Sequence, residues 1–375
     1  MNSPDVCIRG AGAVGMSLAL SLARQGLAVQ LLASPAGLAP AAPDVRTYAL
    51  NAGARDLLAA LKVWDALPAD AVTAVDDMVV AGDAPGAQIE FSAWQQGAEA
   101  LAWIVDAAAL DDALATAVRF APHISCQTDS AVGVAGGAAL TVLAEGKASA
   151  SRSALGVRFE RHAYGQTALA ARLVSNVGHG QLARQWFGAP DVLALLPFDR
   201  PQVGHSYGLV WSLPAARAEA LRDAPVAEFE AALAEATGGA AGHLRLGSER
   251  ATWPLAIAQA DRLCGPGWVL VGDAAHLVHP LAGQGLNLGL ADVVSLSRII
   301  AEREPWRALG DERLLRRHVR ARSAPTQAMA LLTDGLLHLF AQPQPLVKEL
   351  RNRGLSLLNQ LTSLKRVLTR HALDV

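Results

Sequence analysis

The 375-residue sequence contains only three cysteines, and Cys7, Cys126 and Cys264 lie far apart with no C-x-x-C pair among them. An odd, scattered set excludes a disulfide framework and a structural zinc site and fits a reducing cytoplasm. An excess of positive charge is missing too. The 32 Lys and Arg against 34 Asp and Glu leave a net charge of -2, without the basic field that a nucleic-acid partner requires. No uncharged apolar run reaches the roughly eighteen residues of a membrane-spanning helix. The opening, MNSPDVCIRGAG, is acidic rather than basic and runs straight into glycines. It leaves no room for a signal peptide, so a cytoplasmic protein is expected. Aromatics make up only 5% of the residues, so Leu, Val and Ala must fill the core with close backbone approaches, as in α/β proteins.

Apolar residues make up 52% and charged residues 18%, a globular composition, and the length exceeds what one hydrophobic core usually supports. Two domains are the natural expectation. Residues 5–33 read as strand, glycine turn, helix and strand, half of a βαβ unit. GARDLLAALKVWDAL, residues 53–67, has helical period. VTAVDDMVVAG and AQIEFSAW alternate like antiparallel strands, and IVDAAALDDALATAV is helical. From Tyr164 to Leu213 short strand-like segments separated by Gly and Pro predict an antiparallel sheet. PVAEFEAALAEATGG predicts a helix, ATWPLAIA a strand, GWVLVGDAA a buried strand, and the chain beyond about Glu304 reads as helices.

Gly10, Gly12 and Gly15 form G-x-G-x-x-G after a strand and at the start of a helix, within the run GAGAVG that also includes Ala11, Ala13 and Val14. The first glycine permits a tight turn, the second lets the backbone approach a pyrophosphate, and the third lets helix and strand pack closely. Amides at the helix start then hold the anion. The motif alone does not separate NAD from FAD, but a second glycine motif more than 250 residues on suggests one large cofactor touched at both ends.

That second motif is GDAAHLVHPLAGQGLNLGLAD, residues 272–292. Gly272, Gly283, Gly285 and Gly289 disfavour a plain buried helix at roughly 1 kcal/mol each, so a loop feeding a helix is expected. Asp273 falls just beyond a buried strand, where it could cap a helix or accept a hydrogen bond from a sugar-like hydroxyl. Gly283, Gln284, Gly285 and Leu286 offer successive amides to a carbonyl or an anionic ring edge.

On these residues the chain resembles the group A FAD-dependent aromatic hydroxylases, and most closely their ubiquinone-biosynthesis branch. The segment VRTYALNAGARDLLAALKVWDAL (45–67) and the stretches YGQTALAARL, QWF and LALLPF resemble that branch as well. The likeness covers most of residues 5–300. It implies an α/β fold: a Rossmann-like FAD domain (1–75, 101–156, 252–325), interrupted by an antiparallel β-sheet substrate domain (76–100, 157–251), with C-terminal helices (326–375). It implies that Arg46 approaches the flavin, Asp273 binds the ribityl chain, Pro280 borders the ring, and the amides from Gly283 to Asn287 steady the N1/O2 edge, with Gln284 and His279 beside the reaction. The implied activity is a monooxygenase in which NAD(P)H reduces FAD and one atom of O2 enters an aromatic ring, a ubiquinone precursor in the first instance. Hydroxylation of another aromatic compound and a non-catalytic scaffold are the alternatives.

Three positions depart from the family pattern. The carboxylate expected on the adenosine ribose falls at Ala33, with Ser34 the nearest polar side chain; Glu145-Gly146 stands for the usual Asp-Gly; and Ala108 occupies a position where relatives often carry Arg. Losing one charge-assisted hydrogen bond of about 1.5 to 3 kcal/mol weakens a cofactor by one or two orders of magnitude. His276 and His279 form H-x-x-H, which without a nearby third ligand reads as pocket lining or internal hydrogen bonding rather than a metal site. Leu357, Leu361, Leu364 and Leu368 share one helical face with Lys365, Arg366 and Arg370 off it, so the C-terminal helix either docks on the protein or meets a lipid surface or a biosynthetic complex. A polyprenylated substrate would suit a peripheral place on the inner face of the membrane.

Overall fold

A computed structural model describes residues 3–33, 44–82, 87–128, 137–188, 190–277 and 284–341. Three sheets organise them. The first is six-stranded, built from β1 (Val6–Arg9), β2 (Val29–Ala33), β8 (Ile124–Thr128), β9 (Leu140–Leu143), β16 (Cys264–Gly265) and β17 (Trp268–Leu270), in the order β16-β17-β9-β1-β2-β8. Apart from the β16–β17 hairpin its ladders are parallel. Its inner strands β1, β9 and β17 are nearly continuous buried apolar runs, as parallel strands covered on both faces must be, while the edge strand β8 is exposed.

The second sheet is nine-stranded and holds β5 (Asp77–Ala81), β6 (Gln88–Ser92), β10 (Phe159–Ser175), β11 (Leu182–Phe187), β12 (Val192–Phe198), β13 (Ser206–Pro214), β14 (Leu244–Leu246), β15 (Ala251–Ala260) and β18 (His276–Leu277). It is antiparallel except where β11 runs parallel to β5. A third, three-stranded sheet of β3 (Thr47–Leu50), β7 (Ala102–Asp106) and β4 (Val72–Val75) completes the set. The helices are α1 (Ala13–Ala23), α2 (Ala52–Ala60), α3 (Ala93–Gln96), α4 (Ala107–Phe120), α5 (Ala150–Ala154), α6 (Ala215–Asp223), α7 (Val226–Thr237), α8 (Gln284–Ala301) and α9 (Glu312–Ala341).

One core lies on the parallel sheet, where Leu18 and Leu22 of α1, Leu110 and Leu114 of α4 and Leu290, Val293 and Leu296 of α8 pack on Val6, Ile8 and Val142. Each such side chain contributes roughly 1.5–3 kcal/mol when fully buried. A second core lies on one face of the large sheet, where Leu169, Leu193, Leu195, Leu209 and Trp211 meet Leu221 of α6 and Phe229 and Leu233 of α7. Alternation then obliges the other residues of β10, β12 and β13 to face the opposite way.

Several sequence expectations need correction. Ile104–Asp106 belong to β7, and the helix starts one residue later because the Asp106 carboxylate accepts the Ala109 N–H as an N-cap. The alternating stretch 72–103 divides between two sheets, β4 and β7 joining β3 while β5 and β6 join the large sheet. Residues 251–260, expected with the cofactor domain from 252 onward, form β15, which pairs with β10 of the large sheet. Gly285 and Gly289 lie inside α8, not in a loop. A Cβ on Gly289 would come 2.6 Å from Val14 Cγ2, so that glycine exists to let α8 cross α1.

Beneath the end of β17 lies a buried polar cluster. The Asp292 carboxylate of α8 accepts the Gly272 N–H at 2.9 Å and bonds His276 Nε2 at 2.8 Å and Arg322 Nε of α9 at 2.8 Å. His318 lies behind it on Ser295 Oγ at 3.0 Å. Burial, reinforced by Arg322 and His276, pushes the His318 imidazole down to about 4. An unfolded histidine takes up its proton near 6.5. Between those values the unfolded chain binds a proton that the folded chain refuses, so stability falls as pH falls through that window. His318→Gln is expected to flatten this loss, read as urea-unfolding free energy at neutral pH and at about pH 5; an unchanged slope would mean that His318 titrates normally.

Candidate active site

β17, β9 and β1 are adjacent and parallel, so their C-terminal ends bring three turns together: Val271–Asp273, Ala144–Lys147 and Gly10–Gly12. In open α/β sheets ligands lie there. Gly10, at φ +108°, adopts a conformation that L side chains avoid, and a Cβ on it would come 2.2 Å from the Ala144 carbonyl oxygen. A Cβ on Gly15 would come 1.9 Å from the Gly10 carbonyl oxygen. Both are therefore packing glycines, the roles the motif assigns to its first and third positions. Gly12 differs, since among the described residues nothing lies within 4 Å of its would-be Cβ. Its emptiness faces a cavity.

That cavity has a volume of about 690 Å³ and is bordered on one side by Gly12, Ala13, Val14, Glu145, Gly272, Asp273, Gly285 and Leu286. The first amides of an α-helix have no intrahelical acceptor, and in α8 these run from Gln284 through Asn287. Asn287 locks that helix start in place: its Oδ1 accepts the Asn51 N–H at 3.1 Å and its Nδ2 donates to the Ala49 carbonyl at 2.8 Å. Asp273 stands beside α8, since a Cβ on Gly285 would be 4.0 Å from its Oδ1. Its side chain does not cap a helix, and it has no hydrogen-bond partner among the described residues. Burial pushes its carboxyl above the usual carboxylate range, against the pull of His276, Lys147 and Arg46. Among the described residues, of the two readings of Asp273, the hydroxyl acceptor is the one the geometry favours.

Arg46 also borders the cavity, held by hydrogen bonds to Asp44 of 2.6, 2.9 and 3.0 Å. This pairing raises its already high pKa. Burial overrides the pull of Arg46 to push Tyr48 up to about 12. Glu145 faces inward: it accepts from Ser149 Oγ at 2.6 Å, Ser151 N at 3.1 Å and Ser151 Oγ at 2.8 Å, and meets Arg9 at 3.4 Å. Glu145 thus braces the start of α5, whose N-cap is Ser149. Arg152, which the sequence did not signal, donates to the Ala274 and Lys147 carbonyls at 2.9 and 3.0 Å and ties the two turns together. Ala33 closes β2 and Ala108 sits in the first turn of α4. Ser34, His279, Pro280 and Gly283, together with the C-terminal leucine face of 357–368, lie outside the described residues. His276 is engaged by Asp292 rather than exposed to the cavity.

The opposite wall is the second face of the large sheet, which also packs on the three-stranded sheet, with Ala168 and Ala170 of β10, Val192, Ala194 and Leu196 of β12, Val210 and Ser212 of β13, and Gln185 of β11. A dinucleotide-binding wall therefore faces a nearly apolar chamber, and the volume falls within the roughly 300–1,000 Å³ of ligand sites. The fold and site together define a flavin-binding α/β architecture with a second, sheet-lined ligand chamber. The chain belongs to the FAD-binding domain family, whose model matches residues 135–332. It is 29% identical to the ubiquinone hydroxylase UbiL of Rhodospirillum rubrum, over 98% of this chain and 89% of that protein. It is also 29% identical to 3-demethoxyubiquinol 3-hydroxylase of Escherichia coli, over the full length of both. Among solved structures, PqsL, a probable FAD-dependent monooxygenase of Pseudomonas aeruginosa, superposes with a TM-score of 0.77 at 20% identity, covering 94% of this chain and 99% of that one, a likeness of fold.

The residues present fit FAD. Gly12 leaves room for a pyrophosphate on the α1 amides, the Asp273 carboxylate, unpaired among the described residues, can accept from a hydroxyl donor, and the α8 amides border the same cavity. Asp273→Ala is expected to lower FAD occupancy and activity together, read from the visible absorbance of the purified protein; full flavin retention with normal turnover would remove Asp273 from the site.

Proposed function

We propose that this chain is an FAD-dependent monooxygenase that hydroxylates an aromatic ring with O2 and NAD(P)H, and that the ring is a ubiquinone precursor. The observation that carries the reading is the cavity itself, with dinucleotide-binding groups on one wall and an apolar sheet face on the other. FAD, when bound, supplies the redox chemistry. The protein does the rest. Gly12, Ala13 and the start of α1 hold the pyrophosphate, Asp273 accepts the ribityl hydroxyls, and the amides of Gly283 to Asn287 hold negative charge at the ring edge. On the family resemblance, Gln284 and His279 would act beside the reacting position and Pro280 would border the ring. The aliphatic wall keeps water from the reaction and so suppresses wasteful peroxide release.

No helix among the described residues is long and apolar enough to cross a membrane. A polyprenylated substrate would still be met at a lipid surface, and the basic C-terminal segment is suited to bring the protein there. The test is NAD(P)H oxidation by the FAD-loaded protein with and without a ubiquinone-precursor phenol, followed by incorporation of labelled O2 into product. Flavin-free protein that stays colourless with added FAD would turn the reading toward a scaffold. Flavin reduction stimulated by another aromatic compound would keep the chemistry and change the substrate.

A further inference from the structure

The sheet wall of the chamber is apolar except at two positions. Register places Gln185 opposite Ala194 and Ala194 opposite Val210, while Ser212 stands opposite both Val192 and Ala168. Gln185 and Ser212 therefore share one face, two strands and two residues apart, a diagonal of roughly 12 Å between Cα atoms. The small and β-branched residues between them leave a shallow floor. Both polar residues are more than nine-tenths buried, with Gln185 6% and Ser212 4% exposed. Among the described residues neither side chain has a hydrogen-bond partner, and both border the cavity. Buried polar groups are nearly always paired, so a ligand is the natural partner for these two.

Charge is just as unevenly placed. The ionisable residues bordering the cavity, Arg46, Tyr48, Glu145, Lys147 and Asp273, all come from outside the large sheet, and of these Arg46 reaches one end of it, 5.9 Å from the Trp253 ring of β15. Among the described residues the large sheet contributes no cation to the chamber. A substrate carboxylate laid against the Gln185–Ser212 part of that sheet, away from Arg46, would be desolvated without a counter-ion, a heavy penalty. A hydroxyl or methoxy oxygen would instead find an amide and a hydroxyl at hydrogen-bonding reach.

We propose that Gln185 and Ser212 determine specificity in the substrate chamber: they orient a neutral aromatic ring through its oxygen substituents, and the chamber rejects rings that carry a carboxylate. This rests on the monooxygenase reading for its chemistry, though not for its binding. Gln185 offers an amide donor and acceptor and Ser212 a hydroxyl, so oxygens on two sides of one ring can be held at once. The aliphatic floor between them receives the ring face, and any alkyl tail continues along it.

The experiment is equilibrium binding by titration calorimetry to the full-length, FAD-loaded chain, with 2-methoxyphenol and its carboxylated counterpart 4-hydroxy-3-methoxybenzoate as probes. The neutral phenol is expected to bind, and the carboxylate to bind at least about tenfold more weakly. Gln185→Met and Ser212→Ala should each weaken the phenol roughly threefold to tenfold, the worth of one neutral hydrogen bond. Both variants should keep the wild-type melting temperature and FAD affinity, because neither side chain is bonded among the described residues. In turnover they should release more peroxide per NAD(P)H consumed, which a merely structural change would not single out. Equal binding of the two probes, binding of neither, or variants that leave phenol affinity untouched would overturn the proposal. So would variants that lose FAD instead, since the pair would then contact the flavin. Phenol binding that depends on Gln185 and Ser212 in a protein that never oxidises NAD(P)H would uphold the pair while defeating the monooxygenase reading.

Discussion

Asp292→Ala is expected to destabilise the protein by about 3–5 kcal/mol, the cost of stripping the counter-charge from a buried ionic cluster. In the folded protein the Asp292 carboxylate holds Arg322 and His276 and the Gly272 backbone amide, with Asp292 and Arg322 side chains only 2% and 10% exposed. Burial works against the carboxylate, yet His276 and Arg322 win and hold it well below the usual range, while the same carboxylate raises His276. Alanine would leave the Arg322 guanidinium buried without a counter-charge and His276 without its carboxylate partner. It would also free the Gly272 amide and with it the turn that presents Asp273. Urea unfolding measures the first effect and FAD titration the second. Asp292→Asn, which keeps an acceptor but not the charge, should fall between alanine and wild type. A variant within about 1 kcal/mol of wild type would mean that the cluster is solvated and contributes little.

Gly12→Val and Gly15→Val, three residues apart in one motif, should fail in opposite ways. Gly12 lies at φ -81° and ψ 179°, where any residue is comfortable, and among the described residues no atom lies near its would-be Cβ. The apoprotein should therefore keep its stability to within roughly 1 kcal/mol. FAD affinity should drop by about two orders of magnitude or more, because the added side chain bars the pyrophosphate from the amides of α1. At Gly15 the new Cβ would be driven into the Gly10 carbonyl oxygen, so overpacking of about 1–3 kcal/mol or more strikes the fold before any cofactor arrives. Melting curves with and without FAD separate the two. If Gly12→Val binds FAD normally, the cofactor does not lie over α1.

Much of this was legible in the sequence because it rests on local geometry. Glycines in a strand-to-helix turn have one common use, and alternation in 164–213 could only be satisfied by a sheet with two differently clothed faces. What was not legible depends on contacts between distant segments. Asp292 is an ordinary helical aspartate until Gly272, His276 and Arg322 are brought to it, and Arg152 is an ordinary surface-type residue until α5 folds back under the turn at Ala274. Gln185 and Ser212 were invisible for the same reason: strand periodicity places them on a face, and only the register between β11, β12 and β13 shows that this face closes the cavity. The division of strands 72–106 between two sheets escaped detection because both sheets demand the same alternation. The boundary at 252 erred because β15 lies in the large sheet although it is near in sequence to the cofactor turn.

The order in which the parallel sheet is threaded has a consequence for how the protein comes into being. Its central strand β1 is flanked by β9, which pairs Val6 with Leu140, and β9 in turn waits for β17, which pairs Trp268 with Thr141. Between those strands the chain leaves to build the large sheet and returns. During synthesis the glycine turn at the N-terminus can meet β2 and β9 early, but the Val271–Asp273 turn after β17 joins it only when more than two-thirds of the polypeptide has emerged. Long-range pairings of this kind fold slowly and leave apolar strands exposed meanwhile. The dinucleotide pocket is thus the last part of the molecule to be assembled, and a nascent chain halted before Trp268 would show helices and antiparallel sheet but no capacity to take up flavin.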